Sequence, residues 1–145
     1  MNVEATDGRK FLGWLSLGSD LLASLEQICE SQKIKLGEVR AIGAVGHARL
    51  AHYDQIGQKY KYIDLRKPLN ILSLMGNISL QNGKPYIHAH LILGDDQGQV
   101  IGGHLAPGTS VFVCEYVIQE YLTAEPLVGQ KDQATGLYFW PGKQF

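Results

Sequence analysis

Residues 86–105 read YIHAHLILGDDQGQVIGGHL, and the alternation in this stretch decides the fold. In an extended chain Ile87, Ala89, Leu91 and Leu93 fall on one side, and Tyr86, His88, His90 and Ile92 on the other. The aliphatic side belongs to a core. The histidine side faces another layer, a cleft or another subunit. GDDQG (94–98) lacks the later ligands and closing Glu of a calcium loop and reads as a polar hairpin turn. QVIGGHL (99–105) is then an antiparallel return that brings His104 beside the other two histidines. Gly102-Gly103 allows the backbones to approach closely.

The flanking chain fits the same pattern. Asn82-Gly83 is the strongest hairpin signal and joins this stretch to PLNILSLMGNIS (68–79). Alternation there places Ile71, Ser73 and Met75 on one face and Leu72, Leu74 and Ile78 on the other, interrupted by Gly76. Further strands are expected at 11–17, 38–45, 47–54, 59–64 and 109–121, with Gly43 and Gly46 allowing a bend or bulge. Residues 18–34 (GSDLLASLEQICESQKI) carry the helical stripe Leu21, Leu22, Leu25, Ile28 and Cys29. Ser19 or Asp20 can cap it, and an acid in the first turn suits the dipole. The expected class is α+β, with a mostly antiparallel central sheet of about seven strands and one main helix.

The 145 residues fit one domain, 1–145, with a core at 11–118 and a C-terminal packing tail at 119–145 that carries the apolar run Leu137-Tyr138-Phe139-Trp140. Net charge is −1, a poor footprint for gripping DNA unaided. The local cluster Lys59, Lys61, Arg66 and Lys67 reads as a solvated loop. Cys29 and Cys114 form no CxxC and are expected as free thiols in a reducing cytosol. Neither a signal-peptide pattern nor an apolar run near ~20 residues is present, so the expectation is a soluble, cytoplasmic protein without membrane contact.

His88 and His90 have side chains originating roughly 6.5–7 Å apart, close enough to share one ion. Three neutral imidazoles with an open position describe a catalytic zinc site. Spacing alone leaves structural, hydrogen-bonded histidines open. Glu115 is a candidate fourth ligand or general base, or a strand carboxylate in a salt bridge. Arg49 shares a face with His47, Ala51 and Tyr53 and is a candidate for a carboxylate ligand or a surface ion pair. His47 and His52 fall on opposite faces and cannot act together. AIGAVG lacks the dinucleotide spacing, and no Ser or Cys nucleophile motif occurs.

Four segments, IGAVGHARLAHYD (42–54), PLNILSLMGNIS (68–79), GKPYIHAHLILGDDQGQVIGGHL (83–105) and GTSVFVCEYVI (108–118), together resemble the PPC domain, conserved in plants and prokaryotes. The resemblance spans residues 18–118. It implies an α+β fold assembling as a homotrimer. In plants the domain follows an AT-hook in nuclear DNA-binding proteins and supplies trimerisation and partner binding. This sequence has no Arg-Gly-Arg core, and GRK at 8–10 is not one. The plant partner-binding segment, of the type Gly-Arg-Phe-Glu-Ile-Leu, corresponds to residues 67–72 (KPLNIL), where its Arg, Phe and Glu are replaced. Stand-alone prokaryotic members retain the three histidines. Their fold is similar to acetolactate decarboxylase, a zinc enzyme whose HxH pair and later His correspond to His88, His90 and His104. The resemblance therefore implies zinc, or another divalent transition metal, on those residues.

Two functions are expected from this. One is a homotrimeric module that binds DNA, a DNA-binding protein or another protein partner and carries the metal site. The other is a zinc-dependent lyase or hydrolase acting on a small carbonyl or carboxylate compound at the metal.

Overall fold

The structure, a computed structural model, describes residues 3–124 and 127–140. Among these residues nine strands and one helix follow in the order β1 (Thr6–Leu15), α1 (Leu21–Ser31), β2 (Gly37–Asp54), β3 (Lys59–Leu65), β4 (Leu69–Gln81), β5 (Lys84–Gly94), β6 (Val100–Leu105), β7 (Ser110–Leu122), β8 (Gln130–Lys131) and β9 (Tyr138–Phe139). Seven strands form one antiparallel sheet, ordered β1-β7-β2-β4-β5-β6 with β3 on β2. The α+β class with one helix is as the patterning implies.

β2 organises the sheet. Its first half pairs with β4 and β7, and its second half with β3. Leu50 and Ala51 also pair with Leu105 and His104 of β6. The path β2–β4–β5–β6 therefore returns to β2, and the sheet curls closed around the core. The sequence suggested two strands, 38–45 and 47–54. They are one strand, bent where its register with β4 slips between Ala41 and Gly43 and its register with β7 slips between Ala44 and His47. Gly43 has φ +149°, and a Cβ there would lie 2.1 Å from the Val113 carbonyl oxygen. Only glycine lets the two backbones meet at the bend.

β4 departs from strict alternation. Ile71, Leu74 and Ile78 are all buried, whereas Leu72 and Met75 are exposed. Alternation had separated Ile71 from Leu74 and Ile78. The bulge between Ile71 and Ser73 in the β4–β5 register adds one residue and returns all three to the core. β1 also begins and ends earlier than 11–17.

α1 buries Leu21, Leu22, Leu25 and Cys29. The cap is Asp20, whose side chain accepts from the Ala23 N–H. The first turn itself holds no acid, so the favourable charge sits at the cap. The helix covers the part of β5 that runs past the end of β6. There Glu26 Oε1 accepts from the Ile87 N–H at 3.2 Å, and a free strand N–H is satisfied. Burial raises the Glu26 pKa above the usual range, and that hydrogen bond opposes the shift. Both cysteines are free and buried, and burial pushes their thiols up to about 12 for Cys29 and about 11 for Cys114. No helix among the described residues is long and apolar enough to cross a membrane.

Candidate metal centre

The aliphatic residues of β5 set the direction of its histidines. Ile87, Ala89, Leu91 and Leu93 are 1% exposed or less. Successive side chains oppose each other, so His88 and His90 stand on the outer face. The β5–β6 turn then fixes the third residue. Asp95 Oδ1 accepts from the N–H groups of Gln97 and Gln99 at 3.0 and 2.9 Å, and Gly98 takes φ +78°. This turn sets His90 directly opposite His104 in the β5–β6 register. Gly103 faces inward, where a Cβ would lie 3.1 Å from the Ala51 carbonyl oxygen, so its absence lets β6 sit against β2.

The ring centroids of His88 and His104 are 4.9 Å apart, those of His88 and His90 5.2 Å, and those of His90 and His104 5.9 Å. One nitrogen from each ring lies within 4.8 Å of the other two. Bonds of about 2.1 Å to one tetrahedral ion need nitrogens roughly 3.4 Å apart, so the rings would draw together on a bound ion. Burial pushes His104 down to about 4, with smaller contributions from His88 and His90. Burial also lowers His88, assisted by His90. At neutral pH both are therefore uncharged and keep a lone pair for a ligand bond. The donor set suits zinc and similar borderline ions.

The other candidates do not join this cluster. Glu115 is exposed on β7, separated from β5 by β2 and β4, and does not join the histidine group. Arg49 lies over the Tyr62 ring at 4.4 Å, with Nε 4.0 Å from Asp64 Oδ1. His47 shares that carboxylate at 3.4 Å and directs Nδ1 to the Gly108 carbonyl oxygen at 2.9 Å. His52 is exposed on the face opposite His47 and lines a cavity that the three histidines share.

Two features of the site went unread in the sequence. Tyr60 of β3 packs on His104 at 5.1 Å between ring centroids and edge-on to Tyr53 at 5.0 Å. Its signal was the period-two pair Tyr60 and Tyr62 in KYKYID. The other is the place of the tail. β8 and β9 form a hairpin that folds back beside the histidines. The Gly129 N–H donates to the Leu80 carbonyl, the Tyr53 hydroxyl to the Thr135 carbonyl and Gln58 Nε2 to the Ala134 carbonyl. Tyr138, Phe139 and Trp140 line a cleft of 240 Å³ with Tyr86 and His88.

Comparison with known proteins places this geometry. The family model of the Plants and Prokaryotes Conserved (PCC) domain matches residues 2–122. A metal-containing protein of Archaeoglobus fulgidus shares 38% identity with a TM-score of 0.91, over 98% of this chain and 99% of its own. A plant- and prokaryote-conserved (PPC) protein of Pyrococcus horikoshii shares 30% identity with a TM-score of 0.92, over 100% and 99%. The bifunctional protein GlmU of two Synechococcus strains is 32% identical over 120 residues, 82% of this chain. The chain spans only 18% of the length of those relatives.

Proposed function

The chain belongs to the Plants and Prokaryotes Conserved domain family, and from that premise we propose that it is a self-assembling module built around a divalent metal on His88, His90 and His104. The convergence of three imidazole nitrogens within 4.8 Å carries this reading. The similar Archaeoglobus fulgidus protein is itself described as metal-containing, which supports it. Homotrimeric assembly is the oligomer the family resemblance implies, and the exposed apolar residues Leu12, Trp14, Ile42 and Met75 support self-association. Unaided duplex binding has weak electrostatic support. Net charge is −1, and within the basic cluster Lys61 is paired with Asp54 and Lys67 with Asp95.

A second reading, a zinc-dependent lyase or hydrolase on a small carbonyl or carboxylate compound, is favoured by the space over the histidines. A cavity of 910 Å³ is lined by all three. A divalent ion on His88, His90 and His104 would supply Lewis acidity to a bound oxygen. The chain's own part is to hold His88 and His104 neutral and to pack Tyr60 against His104.

Elemental analysis of the purified full-length chain tests the metal. The expected result is about one divalent ion per chain, lost in His88→Ala/His90→Ala, with a higher melting temperature for the metal-loaded form than for the stripped one. Unchanged metal content in the double variant overturns the reading.

A further inference from the structure

Two large cavities touch the histidines, and they differ in chemistry. One, of 890 Å³, reaches His88 and His90 but not His104, and contains Glu38, Arg40 and Glu115. The other, of 910 Å³, is lined by all three histidines. Its remaining lining includes His52, Tyr53, Gln55, Tyr60, Ile92 and Leu137, and among the described residues it contains no Lys, Arg, Asp or Glu. Its volume is in the range of small-molecule sites, which combine apolar walls with a few convergent polar groups.

We propose that this 910 Å³ cavity binds a small monoanion with an apolar body, its carboxylate directed to the ion on the histidines and its body held between Tyr60, Ile92 and Leu137. The proposal rests on the metal-centred reading above and adds the class of ligand. With no Lys or Arg in the lining, and His52 the one imidazole there besides the three of the cluster, the ion is the strongest partner for a negative group. A phosphate ester or a second carboxylate would enter the apolar part without a counter-charge, and a desolvated, unpaired charge is disfavoured. The walls suit a hydrocarbon or aryl group instead. Tyr60 stands between His104 and Tyr53 at ring distances of 5.1 and 5.0 Å, which extends the aromatic surface away from the ion site. Ile92 is 45% exposed on the histidine face of β5, so it offers apolar surface that a ligand would cover. Leu137 comes from the tail, which is tied here by the Tyr53–Thr135 and Gln58–Ala134 hydrogen bonds.

Isothermal titration of the zinc-loaded full-length chain with phenylacetate and acetate tests this. Phenylacetate is expected to bind about tenfold tighter than acetate or better. Ile92→Ala and Leu137→Ala are each expected to weaken phenylacetate about 3–10-fold, with acetate affinity and zinc content unchanged. Loss of the fold would change acetate binding and zinc content too, so it is distinguishable from loss of a wall. Equal affinity for the two acids, or phenylacetate binding unaltered in both variants, overturns the ligand class while leaving the metal site standing. A chain that takes up no zinc overturns both.

Discussion

The Glu120 carboxylate is a residue-scale feature with a readable pH dependence. It is 8% exposed at the end of β7. Arg9 Nε donates to Oε2 at 2.7 Å, Arg9 Nη2 to Oε1 at 2.9 Å and the Arg9 N–H to Oε2 at 3.2 Å. Hydrogen bonding from the Arg9 side chain, foremost, holds the carboxyl below the usual carboxylate range, against the opposing effect of burial. A folded-state value below the unfolded one favours folding at pH above the unfolded pKa, near 4.5, and that contribution fades as pH falls through the lower folded value. The melting temperature of the parent chain is therefore expected to drop more steeply below pH 4.5 than that of Glu120→Gln. Parallel melting curves from about pH 6 to 3 would show that the pair contributes nothing. Little of this pair was legible in the sequence, because Arg9 and Glu120 meet only through the β1–β7 register. His88 and His90 were legible, since local alternation alone orients them. Tyr60 was not, because its contact with His104 needs β3 and β6 on opposite edges of β2.

At the scale of elements, the start of α1 joins two parts of the fold. Asp20 Oδ1 caps the Ala23 N–H at 2.8 Å, while Oδ2 accepts from the Gly108 N–H at 2.6 Å. The Leu21 N–H also donates to the Thr109 carbonyl, so the helix start is pinned to the β6–β7 loop. Asp20→Ala removes a cap and a tertiary hydrogen bond, at a combined cost of about 2–3 kcal/mol. Denaturant titration should show the midpoint falling with little change in slope. Asp20→Asn keeps an oxygen for the cap and should lose less. Equal stability of the Ala variant and the parent would remove Asp20 from this role. The cap was readable as one of two neighbouring residues, Ser19 or Asp20. Its other partner was not, since Gly108 is distant in sequence. The bulge in β4 was equally hidden: Ile71, Leu72 and Ser73 carry no glycine or proline to mark it, and only the paired β5 register reveals it.

At the scale of the whole molecule, one face of the sheet lacks a cover among the described residues. Leu12 and Trp14 of β1, Ile42 of β2 and Met75 of β4 are 74%, 73%, 57% and 69% exposed. They are neighbours through register: Trp14 and Ile42 both pair with Glu115, and Leu12 pairs with Val117, which pairs with Arg40, which pairs with Met75. Glu115 stands between Trp14 and Ile42 and Arg40 between Val117 and Met75, so the face is apolar with two charges set in it, and this much exposed apolar surface marks an interaction site. The patch adjoins the histidine face, since Met75 pairs with His90. Another copy seated there would lie beside the metal site. The sequence could not show this patch, because its residues come from three separated strands aligned only by the curled sheet. Light scattering of the parent chain should give a mass above the 16.0 kDa of one chain, and three copies is the expected number. Trp14→Glu/Ile42→Glu places two charges in the row and should shift the mass toward one chain, while circular dichroism and zinc content stay as in the parent. A parent chain that runs as a monomer at micromolar concentration, or a double variant that keeps the parent's mass, would show that this face is not where copies meet.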